Sequence, residues 1–80
     1  MAREITSAQD LLNALEERRV EIGASRRAVS ERAGYAHAAY WWWQRKGGRV
    51  GLPAALCYIK ALGFRVFIEP ADESKKEGAL

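Results

Sequence analysis

The chain has 80 residues, 49% of them hydrophobic and 29% charged, with a formal net charge of +3 at pH 7. That length holds one small core and excludes a second, and the apolar fraction excludes general disorder. No apolar run approaches the ~18 residues of a membrane span, MAREITSAQD lacks the apolar core of a secretory signal, and a single cysteine fits a reducing compartment, so a cytoplasmic protein is expected.

Residues 1–6 carry no structural signal and are expected to be flexible. Ser7-Ala8-Gln9-Asp10 has the form of a capping box with Asp in place of Glu. Ala8, Leu11, Leu12, Leu15 and Ile22 then recur at helical spacing, which predicts a first helix over 8–22. Glu16, Glu17, Arg18, Arg19 and Glu21 are expected on its solvent side, and Gly23 ends it. Ser25 can cap a second helix whose apolar stripe is Ala28, Val29 and Ala33. Gly34 can take the left-handed conformation that stops that helix, and Tyr35 is expected to plug the core.

A third helix is predicted over 36–45. At 100° per residue, Ala36, Ala39, Tyr40 and Trp43 share one face, and His37, Ala38, Trp41, Trp42 and Arg45 share the other. Glycines and charges make 44–51 a loop. Leu52, Ala55, Leu56, Ile59 and Leu62 predict a fourth helix over 52–62, with Pro53 tolerated in its first turn. Residues 64–70 are rich in strand formers and end at Pro70. A lone strand cannot satisfy its own backbone groups. Either Phe64, Val66, Phe67 and Ile68 pair with the same strand of a second copy, giving a two-fold homodimer, or the segment packs on its own helices. Residues 71–80 are polar and expected to be disordered, and the chain has no internal repeat.

Charge is unevenly spread. Residues 1–22 sum to −2, residues 23–66 to +7 and residues 67–80 to −2. A basic centre between acidic ends suits a phosphate-binding face. Two short helices joined by a glycine turn match the spacing of a DNA-binding helix-turn-helix.

Ser25, the Ala33-Gly34 turn, Trp43 and Ala61-Leu62-Gly63 give residues 7–63 a resemblance to the lambda-repressor/Cro-like helix-turn-helix family. Ala36 stands where that family commonly has a Ser or Thr cap, and Gln44 where it commonly has glutamate. The resemblance implies a mainly α, four-helix DNA-binding domain, to which the strand-forming run at 64–70 adds a C-terminal β-strand. It implies base-edge contacts from His37, Ala38 and Trp42, with Trp41 beside them on the same face. It implies phosphate contacts from Arg26 and Arg27, and from Arg45, Lys46 and Arg49 in the loop that follows. The alternative for Trp41 and Trp42 is burial against a flanking helix or a dimer partner. Cys57 lies opposite the fourth helix's stripe, with no second cysteine to resolve it.

The expected function is a sequence-specific regulator of double-stranded DNA, a dimeric repressor that occupies a palindromic operator. The alternative is an antitoxin-like module that neutralises a protein partner, with DNA autoregulation secondary. No metal-ligand spacing, phosphate loop or nucleophile motif supports an enzyme, and no metal or cofactor is implied.

Overall fold

Capping side chains set where the helices begin. The computed structural model describes residues 2–49 and 51–71. Ser7 stands in extended backbone and its hydroxyl accepts from the Asp10 N–H, which opens α1 (Ala8–Glu21). The return contact of the expected capping box is shifted by one residue: Asp10 accepts from the Thr6 N–H at 3.0 Å and the Thr6 hydroxyl at 2.8 Å. Arg3 also reaches Glu17 at 2.9 Å, so residues 2–6 are coil with two ties to α1. Ser25 opens α2 (Arg26–Arg32) as expected, accepting from the Ala28 N–H. Gly34 then closes α2 at φ +84°, with the Gly34 and Tyr35 N–H groups returning to Glu31 O and Ser30 O.

The third helix corrects the sequence reading. It was expected over 36–45, but α3 spans Ala39–Arg45, and Ala36, His37 and Ala38 form the turn before it. Ala38 holds the cap position and offers no side-chain cap. The missing acceptor comes from another helix. The Ser30 hydroxyl, fully buried on α2, accepts from the Tyr40 N–H at 3.0 Å and donates to Arg26 O at 3.2 Å. The helix begins where that borrowed cap can reach.

After α3 the Gly47 and Gly48 N–H groups return to Gln44 O and Trp43 O, and α4 (Leu52–Ala61) follows with Pro53 in its first turn. α2 packs against both α3 and α4. The core is an aromatic cluster centred on Tyr58. Its ring lies 5.1 Å from Tyr40, edge to face, and 4.9 Å from Trp43. Leu12, Leu15, Val29 and Leu62 close around it. Tyr58 also explains a second correction. The stripe read for α4 placed Leu52 and Leu56 inside, yet they are 69% and 43% exposed, while Ala54, Ala55, Tyr58, Ile59 and Leu62 are buried. One large ring seated between Tyr40 and Trp43 rolls the helix toward itself, because an aromatic side chain buries more surface than a leucine at the margin. Similarly, Ala8 and Ile22 of the α1 stripe are exposed, and Leu12 and Leu15 carry its burial.

The described residues contain four helices and no strand. The strand expected at 64–70 is therefore not formed within the chain. Phe64 is tied back by its N–H to Ile59 O at 3.0 Å and lies under the Arg18 guanidinium. Beyond it Val66, Phe67 and Ile68 are exposed, so the alternative of a tail packed on its own helices is not realised either. Among the described residues no neighbouring segment offers a ladder to pair with. The tail expected to be disordered falls almost entirely at 72–80, outside the described residues.

Candidate nucleic-acid interface

α3 divides its residues by face. Tyr40 and Trp43 point inward and are buried at 0% and 2% exposure, as the helical spacing predicts. Trp41 and Trp42 point outward and remain 36% and 52% exposed, so neither is consumed by a flanking helix of this chain. The two outward indoles meet edge to face, with centroids 4.8 Å apart and planes at 75°. The Arg45 guanidinium lies over the Trp41 ring at 4.8 Å. The three side chains form one braced unit, in which a cation covers the first ring and the first ring supports the second.

The inward side of the same helix is held by a polar network that sequence reasoning missed. Glu16 was read as part of a solvated face of α1. Instead its carboxylate accepts from the Arg19 guanidinium at 2.9 and 3.0 Å, from Arg26 at 3.3 Å and from the Tyr40 hydroxyl at 2.7 Å. Gln44 then donates to the Tyr40 hydroxyl at 3.0 Å and to Leu12 O at 3.2 Å. Burial pushes the Glu16 carboxyl up, but the hydrogen bonds from Arg19 and Tyr40 and the charges of Arg19 and Arg26 outweigh it and hold its pKa below the ordinary value. Burial and then Glu16 push the Tyr40 phenol well up. The one amide on α3 that has the shape for bidentate readout of adenine, Gln44, is thus turned into the protein.

His37 and Ala38 are exposed in the turn before α3 rather than on its first turn. His37 Nε2 lies 3.4 Å from both Glu31 Oε2 and Arg27 Nη2, and Arg27 Nε lies 3.3 Å from the same Glu31 oxygen. Arg26 and Arg27 each stand beside a carboxylate on their own surface. Arg32, Arg45, Lys46 and Arg49 have no carboxylate within ion-pair distance among the described residues. Arg45, Lys46, Gly47 and Arg49 line an open cleft whose far wall is Ala8 and Gln9 at the start of α1. The structure thus brings Trp41, Trp42 and Arg45 together and continues from them into the basic loop, and it gathers His37 with Arg27 and Glu31.

Tyr35, expected as a core plug, is 38% exposed and leans on Tyr58 at 5.4 Å. Cys57 is half-buried, and it raises the Tyr35 pKa ahead of burial. Among the described residues no three His, Cys, Asp or Glu side chains gather where a metal ion could be held, and no helix is long and apolar enough to cross a membrane. The chain matches no family model, no curated protein and no solved structure.

Proposed function

We propose that the chain is a sequence-selective double-stranded-DNA-binding regulator with a lambda-repressor-like helix-turn-helix at 7–63, acting as a dimeric repressor by occupying its operator. The observation that carries this reading is the outward side of α3. It presents two exposed indoles beside Arg45, and the chain then passes directly into Lys46 and Arg49. Exposed aromatic rings bordered by cations that have no carboxylate partner among the described residues suit a polyanion that also carries apolar faces, which describes a nucleic acid. In this reading α3 enters the major groove. Arg45, Lys46 and Arg49 grip the phosphate strand beside it, and Arg27 and His37 border the contact. Arg26 contributes less to phosphate binding because it also holds Glu16.

Dimerisation falls to residues 64–68. Phe67 and Ile68 are 70% and 97% exposed, a cost that pairing with a second copy relieves. The same exposed segment favours a second reading, in which it seats on a different protein and the chain is an antitoxin-like partner.

Selection of bound sequences from random duplex DNA tests the first reading, and a palindromic consensus is expected. With about six phosphate contacts per dimer, log affinity for that consensus should fall against log salt with a slope of about −5. A flat salt response, or recovery of no consensus, removes the DNA reading.

A further inference from the structure

The outward face of α3 is poorly equipped to read base edges. Arg, Lys, Asn and Gln are the residues that recognise bases bidentately. α3 has no Asn or Lys, its Gln44 donates inward to Leu12 O and the Tyr40 hydroxyl, and its Arg45 guanidinium lies over the Trp41 ring. What the face does offer is a stacking surface. Trp42 is 52% exposed, and its ring meets Trp41 edge to face, with Arg45 covering Trp41 in turn. A ring already braced loses little freedom when a flat partner settles on it. Arg45 lies against the Trp41 ring, and Lys46 and Arg49 follow it in the chain, so a planar group attached to phosphates fits this surface better than an uncharged apolar peptide does.

We infer that the Trp41–Trp42 pair is a stacking site for an unstacked nucleobase, so that this protein selects DNA by how readily a base step opens rather than by hydrogen bonds to base edges. The inference rests on the DNA-binding reading and names what that site selects. Trp42 supplies the face the base lies on. Trp41 is a positioning residue that acts through Trp42, and Arg45 holds Trp41 while facing the neighbouring phosphate. Opening a step costs stacking energy, which is smallest at flexible pyrimidine–purine steps and smaller still where a base is already unpaired. The preferred ligand is therefore a duplex carrying a bulged or mispaired base.

The test uses the full-length protein and two labelled duplexes of one sequence, one fully paired and one with a single bulged base at its centre. Fluorescence anisotropy reads affinity, and tryptophan emission reads stacking. The bulged duplex is expected to bind at least about tenfold more tightly and to quench the emission, as one stacked base would. Trp42→Ala should lose both the preference and most of the quenching, with a thermal melt confirming the fold. Trp42→Phe, which keeps a flat ring, should retain the preference. Lys46→Ala should weaken both duplexes alike. Equal affinity for the two duplexes with unquenched emission overturns the inference, and if that shared affinity still falls with salt, the DNA reading stands alone. Absence of binding to either duplex at low salt overturns both. If Trp42→Ala instead dissociates a dimer in sedimentation and leaves the duplex preference intact, the indoles cover a protein interface and the inference is wrong.

Discussion

Trp42 and Trp43 are the same residue, one position apart on one helix, and they live in opposite surroundings. Trp43 is 2% exposed and packs on Tyr58, whereas Trp42 is 52% exposed and meets only Trp41, edge to face, among the aromatic rings of the described residues. The step of 100° between them carries the chain from the core to the proposed ligand surface. A large apolar side chain therefore says little about role by itself. Role follows from what each face of the helix meets. On the inward face, Tyr40, Trp43 and Gln44 meet groups of α1 and α4. On the outward face, Trp41, Trp42 and Arg45 brace one another.

The most direct way to break this comparison is to truncate each tryptophan in turn. Trp43→Ala should cost about 3–5 kcal/mol, comparable to the whole stability of a domain this small, and the helical signal in circular dichroism should collapse at 25 °C. Trp42→Ala should shift stability by less than about 1 kcal/mol. Equal loss of melting temperature in the two variants would show that both indoles are core. Trp43→Phe refines the inward half. It leaves a small void but removes an indole N–H that is buried without a hydrogen-bond partner among the described residues, so it should be far milder than the alanine.

This division of α3 was legible in the sequence because it depends only on helical geometry. Ser25, Gly34 and Pro53 were legible for the same reason, since each acts on backbone within a few residues of itself. Three of the misread features depend on a partner far away in the chain. The start of α3 is set by Ser30, ten residues upstream of Tyr40 and on another helix. The roll of α4 is set by where Tyr58 finds Tyr40 and Trp43. Glu16 looks like one more charge on an exposed face until Tyr40, 24 residues later, brings its hydroxyl to it. Glu16, Arg18, Arg19 and Glu21 together have the composition of a solvated surface, and only the fold separates the half-buried Arg19–Glu16 pair from the more exposed Arg18–Glu21 pair.

That network predicts an effect of intermediate size. Glu16→Gln keeps the shape of the side chain but strips the charge from beside Arg19, Arg26 and Tyr40, and should cost about 1–3 kcal/mol. The wild-type protein should show the same dependence on pH. The Glu16 carboxyl is held below its ordinary value of 4.5, so its contribution is present above that pH and is lost as pH falls through the lower folded value. The Tyr40 phenol is held above its ordinary value of 10, so stability should also decline once pH rises past 10. Thermal melts across pH check both limbs. Glu16→Gln should flatten the acid limb relative to wild type, and an unchanged limb would place the acid sensitivity elsewhere.

The smallest predicted effect compares the outward face with the loop after it. Arg45 and Arg49 both lack a carboxylate partner among the described residues, and both line the cleft opposite Ala8 and Gln9. They differ in one respect: Arg45 also lies on Trp41 at 4.8 Å. If each meets a phosphate, replacing either with Ala should reduce the salt slope by about one unit per contact removed, hence about two in a dimer. Arg49→Ala should do nothing more, and should weaken selected and random duplexes by the same factor, because a phosphate contact carries no sequence information. Arg45→Ala should in addition release the Trp41 ring, loosening the support of Trp42. Its selectivity between a bulged and a paired duplex should fall along with its affinity, whereas Arg45→Lys restores charge without the flat guanidinium and should recover the slope but only part of the selectivity. Competitive binding over a range of salt separates the two arginines. If Arg45→Ala and Arg49→Ala behave identically in both slope and selectivity, the stack of Arg45 on Trp41 is incidental, and Trp42 holds its place without it.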